Sequence, residues 1–167
     1  LVKVGAVASG SEGAYSNEVI TWTVTSVPVD EDLDSVSFGN GKFVAIATNQ
    51  TNKRAYSVDG ITWTAMTLPT RQYWGSVTYG NGKFVAVAAR PTQSGVYQTD
   101  NGAYSVDGRT WTERTLPTSQ HWSSVTYGNG RFVAVADNYA NKGAYSVDGI
   151  TWTEMTLPTG QCWNSVT

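Results

Sequence analysis

The chain is poor in the residues that carry most enzymatic and metal chemistry. Its 167 residues include one cysteine, Cys162, and one histidine, His121. A lone cysteine excludes an internal disulfide framework and a thiolate metal site, and a lone histidine argues against zinc. No metal and no cofactor is therefore expected. Charge is sparse as well: 11 Lys plus Arg stand against 13 Asp plus Glu, a net charge of −2. Nucleic acid and anionic membranes demand clustered Lys and Arg, so neither is expected as a partner. No apolar run is long enough to span a bilayer, and no signal-peptide pattern opens the chain. An initiator methionine is missing; the first residues, LVKVGAVA, read as a strand interior and suggest a piece of a longer product. Helical periodicity and helix-cap signals are absent throughout.

What the chain has is aromatic residues, glycine and repetition. Seven Trp, nine Tyr and 17 Gly suit an all-β protein. The triplet AYS begins at Ala14, Ala55, Ala103 and Ala144, and the Trp of an ITW or RTW group falls at Trp22, Trp63, Trp111 and Trp152. Both series step by 41, 48 and 41 residues. FGNGKF at 38–43, YGNGKF at 79–84 and YGNGRF at 127–132 follow the same register. Trp74, Trp122 and Trp163 do so too, with Leu33 at the matching place.

One repeat reads as a meander of four strands, WGSVTY (74–79), KFVAVAA (83–89), GAYSV (102–106) and RTWTERTL (109–116). Asn-Gly in GNG favours a tight hairpin turn, because both residues tolerate positive φ. A meander of about 40 residues cannot bury both of its faces alone, and radial stacking of such sheets solves the problem. The expected fold is therefore a β-propeller of four-stranded antiparallel blades. The repeats run approximately over 1–32, 33–73, 74–121 and 122–162, with WNSVT (163–167) as the first strand of a next or closing blade. That strand is able to pair with KVGAVA (3–8) and close a ring of four blade equivalents; the alternative is a slice of a larger propeller.

SVDGITW at 57–63 recurs unchanged at 146–152 and as SVDGRTW at 105–111. The Asp is suited to accept N–H groups of its own turn, the Gly to supply positive φ, the Ser to close a side-chain bond, and the Trp to cover the adjoining sheet. Ser57, Asp59, Gly60 and Trp63, then Ser105, Asp107, Gly108 and Trp111, then Ser146, Asp148, Gly149 and Trp152 are assigned this structural role. These hairpins resemble the Asp-box, or BNR, repeats of sialidase-like propellers, whose usual pattern is Ser-x-Asp-x-Gly-x-x-Trp. The present motif is one residue shorter between Asp and Gly, and the first copy, SNEVITW (16–22), replaces Asp by Glu18 and Gly by Val19. The pairing of YGNGKFVAVA with YSVDGxTWT is also similar to repeats in phage tail or virion proteins and bacterial surface proteins. The resemblance implies a propeller on a virion or cell surface and transfers no catalytic residue.

Variation between repeats is confined. The links TRQYWGS (70–76), TSQHWSS (118–124) and TGQCWNS (159–165) keep Gln, Trp and Ser and vary between them. The loops SGSEG (9–13), TNQTNKR (48–54), ARPTQSGVYQTDNG (89–102) and DNYANKG (137–143) vary too. In a meander these loops and links emerge at one end, and the constant GNG and DG turns at the other. The variable rim is the expected recognition surface. Tyr73, Tyr97, His121 and Tyr139 are candidates to stack on sugar rings, and Asn49, Asn138 and Arg71 to bond hydroxyls. The acidic run Asp30, Glu31, Asp32 and Asp34 lacks EF-hand spacing and reads as a solvated loop.

The functional expectation is a non-enzymatic structural or recognition propeller, extracellular or on a virion. Its partners would be a glycan or surface receptor, or other virion or surface structural proteins, and it is compatible with homo-oligomers. A ligand-free fibre or decoration module is the first alternative. A sialidase-like glycosidase is the second; its substrate carboxylate would need an arginine cluster such as Arg54, Arg71 and Arg90, yet no Tyr–Glu pair can be singled out.

Overall fold

The computed structural model describes residues 33–48, 53–91, 99–137 and 141–167. Within them the chain forms three antiparallel sheets of four strands each, and no helix. The first contains β1 (Ser35–Gly39), β2 (Lys42–Ile46), β3 (Lys53–Ser57) and β4 (Trp63–Thr67). The second contains β5 (Gln72–Gly80), β6 (Lys83–Pro91), β7 (Thr99–Ser105) and β8 (Thr112–Gln120). The third contains β9 (Trp122–Gly128), β10 (Arg131–Ala136), β11 (Lys142–Ser146) and β12 (Thr153–Thr156). Each sheet is a meander in strict sequence order.

The sheets stand side by side as wedges. The first strands β1, β5 and β9 pack on one another, whereas the fourth strands of neighbouring sheets scarcely meet. One core joins the first two sheets: Val44, Ile46, Met66 and Leu68 meet Trp74, Val77, Phe84 and Trp111. An equivalent core joins the second and third sheets through Val85, Val87, Leu116, Trp122, Val125 and Phe132. The second strands are apolar on both faces because both faces are covered. Trp74 and Trp122 have no solvent exposure, and each ring contributes up to roughly 4 kcal/mol by area.

Adjacent sheets are keyed by three recurring contacts. The Ser35 hydroxyl accepts the Val77 N–H at 3.1 Å, and the Ser76 hydroxyl accepts the Val125 N–H at 3.2 Å. The amides of Asn40 and Asn81 donate to the carbonyls of Val106 and Val147 at 3.2 and 3.1 Å. The third contact is an aromatic ring seated on a glycine. Tyr79, tilted against Phe84 at 4.8 Å, covers Gly39, where a methyl group would stand 2.0 Å from its ring. Tyr127 covers Gly80 in the same way.

The GNG turns have the expected backbone, with φ of 47, 44 and 47° at Asn40, Asn81 and Asn129 and positive values at the glycines that follow. The SVDG turns are wider than two residues. The Asp107 carboxylate accepts the N–H groups of Arg109 and Thr110 and the Ser105 hydroxyl, while the Ser105 oxygen accepts the Gly108 N–H. Asp59 and Asp148 repeat these bonds, and Gly60, Gly108 and Gly149 lie at φ 73, 70 and 72°. The fourth strand therefore opens at Thr112 and not at Arg109, because the N–H groups of Arg109 and Thr110 serve the turn and not the ladder. Trp111 and Trp152 reach back into the cores shared with the preceding sheets, and Trp63 packs on the opposite face of the first sheet with Ala45 and Ala55.

The terminal WNSVT segment docks without forming a strand. Trp163 N–H donates to Ala136 O at 3.1 Å, and Val166 N–H donates to the Ser124 hydroxyl at 3.2 Å. It thus takes the seat of a next first strand on the third sheet. Its proposed partner KVGAVA (3–8) lies outside the described residues, as do Trp22, the SNEVITW copy and Asp30 to Asp32.

Replacing Gly80 by Ala drives a methyl group into Tyr127 and should cost about 1–3 kcal/mol. Gly128→Ala, at the same place in the third sheet, meets nothing within 4 Å and should be close to neutral. Urea denaturation of both variants checks the pair. Ser105→Ala should cost about 1–2 kcal/mol, because Gly108 N–H loses its buried acceptor. Desolvation pushes the Asp107 carboxyl up, but Thr110 and Arg109 N–H and the Ser105 hydroxyl outweigh it and hold the pKa at about 2. Thr62 and Ile61 N–H depress Asp59 likewise. Stability from these depressed carboxylates is complete above the ordinary carboxylate range near 3.8 and is lost as pH falls toward 2. Wild type should thus lose more stability than Asp107→Asn between about pH 5 and pH 2, read by urea midpoints at each pH.

Candidate functional site: the variable rim

Strand order places the GNG and SVDG turns at one end of the sheets, and the links that lead into β5 and β9 at the other. In the first link Gln72, Trp74 and Ser76 are buried, while Arg71 is exposed and Tyr73 half-buried. In the second Trp122 and Ser124 are buried, Ser119 is exposed, and His121 is half-buried. In these two links the constant Trp and Ser face inward, and the residues just before the Gln and the Trp are more exposed. The alternation is not a plain strand, however. A bulge interrupts β5 around Trp74, so that Trp74 faces Ala88, Ser76 faces Val87, and Gly75 is left without an opposite residue. The third sheet bulges at the same place, leaving Ser123 extra. Gly75 is required there by close approach, since a methyl group would stand 2.7 Å from Trp122 O.

Each sheet uses the residue before its conserved Ser differently. Asp34, at this place in the first sheet, accepts the Thr48 N–H at 2.7 Å and the Thr48 hydroxyl. Ser123 donates to Val135 O and to Trp163 O. Asp34 is thereby spent on tying its own loop; among the described residues no group of three or more His, Cys, Asp or Glu comes together.

His121 is tied rather than free to swing. Its Nδ1 meets the Asp137 carboxylate, and Asp137 N–H donates to His121 O at 3.1 Å. Sequence reading singled out His121 and missed Asp137. The available signal was that Asp137 replaces Thr48 and Ala89, its counterparts in the other repeats. Tyr73 occupies the place of His121 one sheet earlier, opposite Arg90. Arg54 is fully buried and donates to Gln72 O at 3.3 Å. It takes the place of Gly102 and Gly143 in the other sheets and is not available on the surface for a substrate carboxylate. Cys162 is exposed in the third link. Tyr97, Tyr139, Asn49 and Asn138 lie outside the described residues.

The rim thus offers an exposed cation at Arg71, a half-buried phenol at Tyr73 and a His–Asp pair one sheet along. These groups suit hydrogen bonding and ring stacking on a fixed scaffold.

No family model and no curated protein matches the sequence. Solved structures do resemble the chain in fold. A structure of streptogramin B lyase superposes with a TM-score of 0.64 at 15% identity, over 78% of this chain and 43% of that one. The computationally designed Ika4 protein gives a TM-score of 0.56 at 9% identity, over 86% of this chain and 83% of that one. The chain spans less than half the length of the lyase it matches. At these identities the likeness concerns architecture alone: the three wedge-packed meanders are blades of a β-propeller.

Proposed function

We propose that this propeller is a non-enzymatic recognition module of a virion or cell surface, and that it binds a glycan or a surface protein through its variable rim. One observation carries the reading. Nearly all differences between blades collect at the end bearing the links, while the opposite end is held by repeated Ser–Asp and Asn–carbonyl bonds. A scaffold that fixes one end and varies the other is the arrangement used where loops do the binding. The near match of SVDGxTW to the Asp-box pattern, and of the whole repeat to virion and surface proteins, supports the setting. Near-identical blades support binding over catalysis, because a catalytic centre needs one blade to differ in kind. Arg71, Tyr73 and His121 are the described contact residues.

Glycan-array and surface-protein-array screening of the chain should return a defined ligand class. A Tyr73→Ala, His121→Ala double variant should lose that binding while still unfolding cooperatively in urea. Release of sialic acid from a fluorogenic substrate would overturn the non-enzymatic reading.

A further inference from the structure

Two departures from the repeat meet at the rim of the third sheet. His121 stands where the other links have Tyr73 and Cys162, and Asp137 stands where the earlier repeats have Thr48 and Ala89. The two side chains touch, the Asp137 carboxylate against Nδ1 of the half-buried ring. The link itself does not need this contact. Asp137 N–H already donates to His121 O at 3.1 Å, a bond open to any residue at 137 except proline. In the first sheet the equivalent Thr48 is tied to Asp34. In the third sheet Ser123 replaces Asp34 and donates to Val135 O instead. The Asp137 carboxylate therefore has no counterpart to serve but the imidazole.

The two ring nitrogens of His121 have different surroundings. Nδ1 is shut off from solvent, and among the described residues only Asp137 reaches it. Nε2 is open to solvent and meets no protein group among the described residues. An ionised carboxylate offers lone pairs only. A bare Nδ1 would set a further lone pair against it with no water between, so the proton belongs on Nδ1. A neutral imidazole carries one proton, which leaves the Nε2 lone pair facing outward. No third His, Cys, Asp or Glu joins the pair among the described residues, so that lone pair is not part of a cluster of metal-ligating groups.

We propose that Asp137 is a positioning residue: it fixes neutral His121 as the Nδ1–H tautomer and so presents Nε2 at the rim as an acceptor for a hydroxyl or N–H donor of a bound molecule. The inference rests on the rim being the recognition surface. Tyr73, at the same place one sheet earlier, carries a phenol that both donates and accepts, whereas the His–Asp pair only accepts. A molecule seated on His121 must therefore bring a proton of its own. A free hydroxyl meets that demand, and an ether or ester oxygen at the same point does not.

The test uses the full chain without any ligand. His121 is its only histidine, so long-range ¹H–¹⁵N spectra report on one imidazole ring. Recorded at a pH that leaves the ring neutral, they should show a protonated Nδ1 and a bare Nε2. Asp137→Asn keeps the shape of the side chain and removes its charge. The ratio of Nδ1–H to Nε2–H forms should then fall at least about tenfold. Asp137→Glu keeps a carboxylate and should stay nearer the wild-type ratio. A wild-type ring mainly in the Nε2–H form, or a ratio unchanged in Asp137→Asn, would overturn the assignment. A failed array screen would count against the rim as a recognition surface and leave this tautomer result standing.

Discussion

The structure depends on the close contact of one β-sheet face with the next. A single four-stranded meander has apolar residues on both sides, and water is excluded only when a second sheet stands against it. The alternating side chains of β6 show this directly. Phe84, Ala86 and Ala88 enter the first core, whereas Val85 and Val87 point away from it into the second. Trp74 and Trp122 close the same seams near the rim, and Tyr79 and Tyr127 close them at the turn end by lying on Gly39 and Gly80. The glycines are needed for distance, not for backbone freedom: a side chain of any size there would hold the sheets apart.

This packing also separates the two ends of the molecule. The turn end is built from bonds that repeat almost atom for atom: serine to aspartate, aspartate to the following N–H groups, asparagine to the next sheet's carbonyl. A change at the Ser, Asp or Asn of these turns removes such a bond, and these residues are constant in the three described sheets. The links at the other end need only their inward Trp and Ser to complete the seam. Arg71, Tyr73, Ser119 and His121 contribute little to it and are free to differ. The repeats therefore depart from one another mainly at the end that bears the links.

Some of this was open to inspection of the letters. Repeated GNG turns, alternating strands and the fixed offset from AYS to Trp give the meander and its handling of both faces, because strand periodicity and turn chemistry are local properties. The division of the links into constant and varied positions likewise followed from comparing one copy with another. Local reasoning failed at the SVDG turn, where Asp107 withdraws Arg109 and Thr110 from the ladder, and at the bulge, where Gly75 and Ser123 break the two-residue period.

The sequence by itself determined the element type, the repeat and the positive-φ turns, since each rests on interactions within a few residues. Only the tertiary structure decided that Gly39 and Gly80 are seats for rings of the next sheet, and that Arg54 is buried. It also decided that His121 is held by Asp137 and that Arg109 lies over Tyr56. Those facts depend on residues 16 to 53 positions apart meeting across a seam or a strand pair, and no local pattern encodes such a distance.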